Sequence, residues 1–185
     1  MEQEGIIVSV ICCTYNQERY IKRCLDGIIM QRTSFNYEVL VHDDASVDST
    51  PEIIREYERK YPDVIKPIYQ RENQFSKRKG IIKTFQIPRA KGKYIAFCEG
   101  DDYWIDPYKL QKQVDFLEKN PGCVLVHTNF DFFYQNESLL VEAYDADNNI
   151  KQIRESGENI IYKILDGNAY RIQTVTAMLR ASVYV

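Results

Sequence analysis

Excess positive charge, cysteine pairs and long hydrophobic runs are all missing from this sequence. Of 185 residues, 24 are Lys or Arg and 27 are Asp or Glu, a formal net charge of −3 with only two histidines. No basic field exists to hold a polyanion by counterion release, so nucleic-acid binding is not an expected function. The five cysteines, Cys12, Cys13, Cys24, Cys98 and Cys123, are odd in number and include no Cys-x-x-Cys pair. They suit neither a disulfide framework nor a zinc site, and buried thiols in a reducing, cytoplasmic setting are expected. The run from Ile6 to Cys13 is too short to span a bilayer, and the acidic start Met1-Glu2-Gln3-Glu4-Gly5 lacks the basic residues of a leader. The expectation is therefore no signal peptide and no membrane span, with the inner face of the membrane as one place where a cytoplasmic protein could work. Glycine and proline number 8 and 6, too few for a collagenous or low-complexity chain, and 44% hydrophobic with 28% charged residues is ordinary globular composition. A chain of this length buries a core without a disulfide or metal staple. Tyrosine alone is abundant, with 14 copies scattered along the chain in a pattern typical of amphipathic rim residues.

What the sequence does contain is an alternation of strands and helices. Ile6 to Cys13 is nearly all apolar, as in a strand buried on both faces of a parallel sheet. Ile21, Cys24, Leu25, Ile28 and Ile29 recur at spacings of three and four, which predicts a helix over about 17–31. Tyr37 to His42 reads as a second strand, and Thr50-Pro51-Glu52 as a cap followed by proline at the start of a second helix. Val64 to Tyr69 gives a third strand, followed by a polar basic loop, Gln70 to Gly80, and a weaker helical stretch to about Ala90. Tyr94 to Cys98 is a fourth strand. Asp106-Pro107 repeats the cap-plus-proline start, with Leu110, Val114 and Leu117 on one helical face, and Asn120-Pro121-Gly122 ends that helix. Cys123 to Tyr134 resumes strand-like alternation. The polar stretch Glu137 to Gly157 suggests a long loop, Ile160, Ile161, Ile164 and Leu165 a short helix, and Ile172 to Leu179 a last strand. The alternation predicts an α/β fold, a Rossmann-like, doubly wound and mostly parallel sheet.

In such sheets ligands bind beyond the carboxyl ends of the strands. Strand one delivers Thr14-Tyr15-Asn16, strand two Asp43-Asp44 and strand four Asp101-Asp102, so four carboxylates and a Tyr-Asn pair would share one rim. Adjacent carboxylates repel, and a cation relieves the repulsion. Mg²⁺ or Mn²⁺, which keeps several waters and is commonly held by one or two carboxylates together with substrate phosphates, suits this set. The competing reading is that both Asp pairs are solvated loop residues capping the next helices. Lys77, Arg78, Lys79 and Lys83 could neutralise a diphosphate or simply form a solvated basic loop. His42 and His127 suit strand-end or core positions better than catalytic ones, and Trp104 suits either a sugar-facing wall or packing beneath the acidic loop. A receiver-like signalling domain would also carry paired aspartates, yet gives no reason for Thr14-Tyr15-Asn16 or for the second pair. A nucleotide-binding module without catalysis would share every motif.

Three segments in register resemble the inverting family 2 glycosyltransferases: Val8 to Glu18 (VSVICCTYNQE), Val41 to Thr50 (VHDDASVDST) and Ala90 to Asp102 (AKGKYIAFCEGDD). The resemblance runs from about residue 6 to about 125. It implies a GT-A fold over 1–135 that binds a nucleotide-diphosphate sugar, with a UDP-sugar favoured, and Mn²⁺ or Mg²⁺, while 136–185 would begin the acceptor side. Carried over by motif position, Cys13 would meet the nucleotide mainly through its backbone and Tyr15 would stack on the base. Asp44 would accept a hydrogen bond from the base, Asp101 would hold the ribose or sugar side, and Asp102 would ligate the metal. Glu99-Gly100 departs from the family's more usual acidic or small pair, which leaves open whether Glu99 approaches the cation.

The resemblance implies transfer of a hexose to a glycan or lipid-linked hydroxyl, as in polysaccharide biosynthesis, by direct displacement of the nucleotide diphosphate. A carboxylate base must take the hydroxyl proton. In the family that base lies beyond the strand corresponding to Gln173 to Arg180, so this chain is expected to be truncated before it. Asp131, Glu137 and Asp145 are other acids on this side, but no spacing singles one out.

Overall fold

A computed structural model describes residues 5–134, 138–141 and 172–184. Of the loop expected over Glu137 to Gly157, Leu139–Val141 forms a strand instead, and 142–157, like the helix expected near Ile160 to Leu165, lies outside the described residues. Strands β1 (Ile6–Thr14), β2 (Asn36–Asp43), β3 (Ile65–Tyr69) and β4 (Tyr94–Phe97) pair in parallel, in the spatial order β3-β2-β1-β4. Helices α1 (Ile21–Ile29) and α2 (Thr50–Lys60) make the first two crossovers. A π-helical turn (Ile82–Gln86) running into a 3-10 turn (Ile87–Arg89) lies in the third. Helix α3 (Lys109–Lys119) follows β4, and short strand β5 (Leu125–Val126) and hairpin β6 (Phe132–Tyr134) and β7 (Leu139–Val141) follow α3. Strand β8 (Met178–Arg180), from the stretch expected to begin the acceptor side, inserts antiparallel between β4 and β5 and completes a six-stranded sheet.

The winding is double, as expected. One face of the sheet packs on α1, α2 and α3 through Val8, Val10, Cys12, Leu25, Ile54 and Leu117, all fully buried. The other face packs Ile11, Ile95 and Phe97 against Ile82, Ile87 and Ala90 of the third crossover. Alternation along each strand sends successive side chains to opposite faces, so a strand with two apolar covers is mostly apolar along its length, as β1 is, and its one polar residue in mid-strand, the buried Ser9, donates its hydroxyl to Glu38 at 2.7 Å. All five cysteines are free thiols; Cys12, Cys24 and Cys98 are buried, with the Cys24 sulfur 3.8 Å from Cys12 and 3.6 Å from Cys98.

Several element boundaries differ from expectation for local reasons. Helix α1 starts at Ile21 rather than 17: the residues before it form a turn in which the Gln17 carbonyl accepts both Tyr20 N–H and Ile21 N–H at 2.9 Å, while the N–H groups of Gln17 and Glu18 donate to Thr50 and Asp48. Ser49, not Thr50, occupies the cap of α2. Asp106 does not cap α3 directly: its carboxylate accepts the Tyr108 N–H at 2.9 Å and closes a turn before the helix begins at Lys109. The stretches expected as strands over 123–134 and 172–179 condense to two and three residues at a time, with a 3-10 turn (Thr174–Thr176) before β8. Among the described residues no helix is long and apolar enough to cross a membrane.

One contact couples this packing to the rim. A Cβ added at Gly27, inside α1, would lie 2.7 Å from the Trp104 carbonyl oxygen and 2.9 Å from its nitrogen. Gly27→Ala should therefore lower the urea midpoint, since overpacking by about 1–3 kcal/mol outweighs the gain of about 1 kcal/mol in helix propensity. An unchanged or higher midpoint would show that the acidic loop does not press on α1.

Candidate functional site

The chain runs β1, β2, β3 toward one edge and then returns to place β4 on the other side of β1, so the sheet's switch point lies between β1 and β4. The loops that leave these two strands are tied together at the rim. Gly100 N–H donates to the Cys13 carbonyl at 3.0 Å. A Cβ at Gly100 would approach the Gln17 carboxamide oxygen and the Thr14 hydroxyl to 2.3 and 2.7 Å, so only glycine permits this approach.

A second set of bonds zips the β1 loop to the β2 loop. Asn16 N–H donates to the Ser46 hydroxyl at 2.9 Å and Asn16 Oδ1 accepts Val47 N–H at 2.8 Å. Asp48 accepts from Glu18 N–H and Thr50 N–H, while Glu18 accepts from Ser49 N–H at 3.0 Å. Asn16 and Ala45 hold left-handed backbone, with φ of 52° and 67°. Ser46, Asp48 and Thr50 therefore shape the loops rather than line the site, a role that sequence reasoning missed. What these bonds present is Tyr15, 47% exposed just past the end of β1.

Asp44 is the opposite case. It is 2% exposed, and its carboxylate gathers three donors: Oδ1 accepts Gln74 N–H at 2.7 Å and faces His42 Nε2 at 3.4 Å, while Oδ2 accepts Phe75 N–H at 3.0 Å. Asn73 adds a bond to the Asp44 carbonyl. The basic loop after β3 is thus pinned to the end of β2, which carries the exposed Lys77, Arg78 and Lys79 toward the same rim; Lys77 pairs with Glu72, and Lys83 is exposed on the turn that follows. Asp43 is buried, its Oδ1 has no partner, and burial holds its carboxyl above the usual range against hydrogen bonds from Ser46. Cys13 is partly buried in the second cluster, and burial pushes its thiol up to about 12, so the side chain is a neutral packing group.

The acidic loop after β4 is electrostatically unbalanced. Burial raises the Asp102 carboxyl to about 6, with Asp101 and Glu99 adding repulsion. Neither Asp101, which is exposed, nor Asp102 is ion-paired to a lysine or arginine among the described residues. Glu99 turns toward the C-terminal segment instead. Its Oε1 accepts the Thr174 hydroxyl at 2.9 Å, and its buried Oε2 has no partner. Beneath the loop, Trp104 is 5% exposed and donates its indole N–H to the Val175 carbonyl at 3.0 Å. Packing beneath the loop, rather than a sugar-facing wall, is its position. The ammonium of Lys109 lies 4.7 Å from the Trp104 ring centre and donates to Gln113 at 2.7 Å, and burial lowers Lys109 to about 8.

This donor set suits a hard divalent cation bound together with phosphates. Among the described residues no three or more of His, Cys, Asp and Glu converge as a closed cage. A pair of repelling carboxylates at the rim offers one or two oxygen ligands and leaves the remaining positions to water and a diphosphate. His42 is fully buried and His127 partly buried, and neither adds a nitrogen ligand to the pair. Asp131 is exposed just before β6; Glu137 and Asp145 lie outside the described residues.

Comparison with known proteins yields one family. The model for glycosyl transferase family 2 matches residues 9–183. EpsE of Bacillus subtilis, which carries a glycosyltransferase name, is 38% identical over 129 residues, covering 70% of this chain and 45% of EpsE. The solved structure of S. aureus TarS 1-349 in complex with UDP-GlcNAc superposes with a TM-score of 0.52 at 28% identity, over 63% of this chain and 32% of that one. The mannosyltransferase PcManGT from Pyrobaculum calidifontis, in complex with GDP-Man and Mn²⁺, gives a TM-score of 0.57 at 26% identity, over 68% and 36%. The chain spans about a third to a half of the length of the curated relatives it matches.

Proposed function

This chain belongs to glycosyl transferase family 2 and has the GT-A fold of its structural neighbours, and from that membership we propose that it binds a nucleotide-diphosphate sugar with a divalent cation for transfer of the sugar, with inversion, to a hydroxyl acceptor. The observation that carries the reading is the unbalanced Asp101-Asp102 pair at the switch point, with Asp102 raised to about 6. In this assignment Tyr15 stacks on the base, Asp44 accepts from a base N–H, Cys13 contributes backbone at the nucleotide, Asp101 faces the ribose or sugar, and Asp102 holds the cation. Mn²⁺ or Mg²⁺, when bound, supplies Lewis-acid neutralisation of charge on the departing diphosphate. The chain's own residues orient the donor: the zipped β1 and β2 loops hold the backbone that carries Tyr15, and the Asp44-pinned loop carries the exposed Lys77, Arg78 and Lys79 as positive charge for the phosphates. No described carboxylate is assigned as the base. A UDP-sugar is the donor proposed, a hexose the group moved, and a glycan or lipid-linked hydroxyl the acceptor, as in polysaccharide assembly at the cytoplasmic side of a membrane.

A thermal-shift panel of nucleotide sugars with Mn²⁺ tests this reading. UDP and UDP-sugars should raise the melting temperature at pH 7.5, and the gain should shrink as pH falls below about 6, because a proton then competes with the cation for Asp102. Below that point cation affinity should fall by about tenfold per pH unit, as one competing proton requires. A shift that persists undiminished at pH 5 would contradict the assignment of Asp102.

A further inference from the structure

We propose that His42 is a positioning residue for base selection: by bonding Asp44 from behind, it leaves that carboxylate a single free acceptor site, which favours a nucleobase presenting a ring N–H. The inference rests on the nucleotide site proposed above. His42 lies on β2 opposite Cys13 of β1, is fully buried, and has its ring 5.3 Å from that of Phe85 in the third crossover. Its Nε2 faces Asp44 Oδ1 at 3.4 Å, and its Nδ1 is buried with no partner. An ionised carboxylate only accepts, so the proton of a neutral ring must be on Nε2. Burial holds the imidazole below its ordinary range, which keeps it neutral near pH 7.

The count of acceptor sites gives the consequence. A carboxylate has about four lone-pair sites. Gln74 N–H and His42 occupy Oδ1, and Phe75 N–H occupies one site on Oδ2, which leaves one. Uracil and guanine carry a ring N–H that fills this site. Cytosine and adenine carry a bare ring nitrogen there, whose lone pair would face the carboxylate's. The two amides come from adjacent residues of the basic loop, and His42 is the donor that reaches the carboxylate from β2. Without that bond the group can turn, and the aim of the remaining site is lost.

Calorimetric titration of UDP and CDP in Mn²⁺ tests this on the wild type and three variants. His42→Gln keeps an amide N–H near the Nε2 position, His42→Asn places its amide near Nδ1, out of reach of Asp44, and His42→Met removes the donor at similar volume. The wild type and His42→Gln should prefer UDP over CDP to a similar degree. His42→Asn and His42→Met should lose about tenfold of that preference, the scale of one hydrogen bond to a charged group, through weaker UDP binding. If His42→Met does not fold, the two amide variants decide the question. An unchanged preference in His42→Asn, or equal loss in His42→Gln, would overturn the positioning role. A wild type that binds no UDP would instead overturn the nucleotide site beneath it.

Discussion

Asp102→Asn is expected to make the ligand-free protein more stable while weakening its cation-dependent nucleotide binding. The folded-state value of about 6 lies above the ordinary carboxylate value of 3.8, so the folded chain holds this proton more tightly than the unfolded one. The cost of ionising Asp102 is absent well below pH 4, grows between about 4 and 6, and is fully present above 6. Asp102 is partly exposed, so solvent screening reduces the nominal figure to about 1 kcal/mol. For a domain of this size the variant should melt about 3 °C higher at pH 7.5. At pH 3.5 it should melt with the wild type. Mn²⁺-dependent UDP affinity should fall by about a hundredfold, since ligand charge dominates hard-cation sites. A variant that is no more stable at pH 7.5 would mean that the acidic loop is relaxed without a cation, and the reason for placing one there would disappear.

The second large effect belongs to Asp44→Ala. The substitution strands three donors, the amides of Gln74 and Phe75 and the imidazole of His42, around a position that is 2% exposed. Each buried donor left without an acceptor costs about 1–3 kcal/mol, and release of the loop to water recovers part of that, so a net loss of about 3 kcal/mol is expected in urea denaturation. The loop carrying Lys77, Arg78 and Lys79 should then be cut by trypsin much faster than in the wild type. Asp44→Asn, which retains one acceptor oxygen, should fall between the two. Equal trypsin rates in wild type and Asp44→Ala would show that the loop is held by something other than this carboxylate.

The site could be read from the sequence only as far as local patterns reach. Strand β1 announces itself because a doubly covered strand is apolar along nearly its whole length, and the motifs follow strand ends because the switch point gathers those ends. Other features depend on partners far along the chain. Gln17 and Glu18 look helical by spacing, and the bonds that their N–H groups make to Thr50 and Asp48, some thirty residues away, leave no mark in that spacing. The helical pattern could not show that α1 would start late. Trp104 suits a sugar-facing wall as well as a packing position by its sequence neighbours, and the partner that decides between them, the Val175 carbonyl that accepts its indole N–H, lies 71 residues on. The antiparallel insertion of β8 between β4 and β5 leaves no local signature, because three residues carry too little alternation to fix a direction. Asp44 was legible as a rim carboxylate, but its hold on the Gln74 and Phe75 amides was not, since backbone donors leave no mark in composition.

The central claim is that the rim between β1 and β4 binds a nucleotide diphosphate through a cation held by Asp102. Calorimetric titration of UDP into the chain at pH 7.5, with Mn²⁺ and then with the metal chelated, tests it most directly. Saturable binding in Mn²⁺ that disappears on chelation and weakens by about a hundredfold in Asp102→Asn is the predicted result; UDP binding of equal strength with and without Mn²⁺ would contradict the claim.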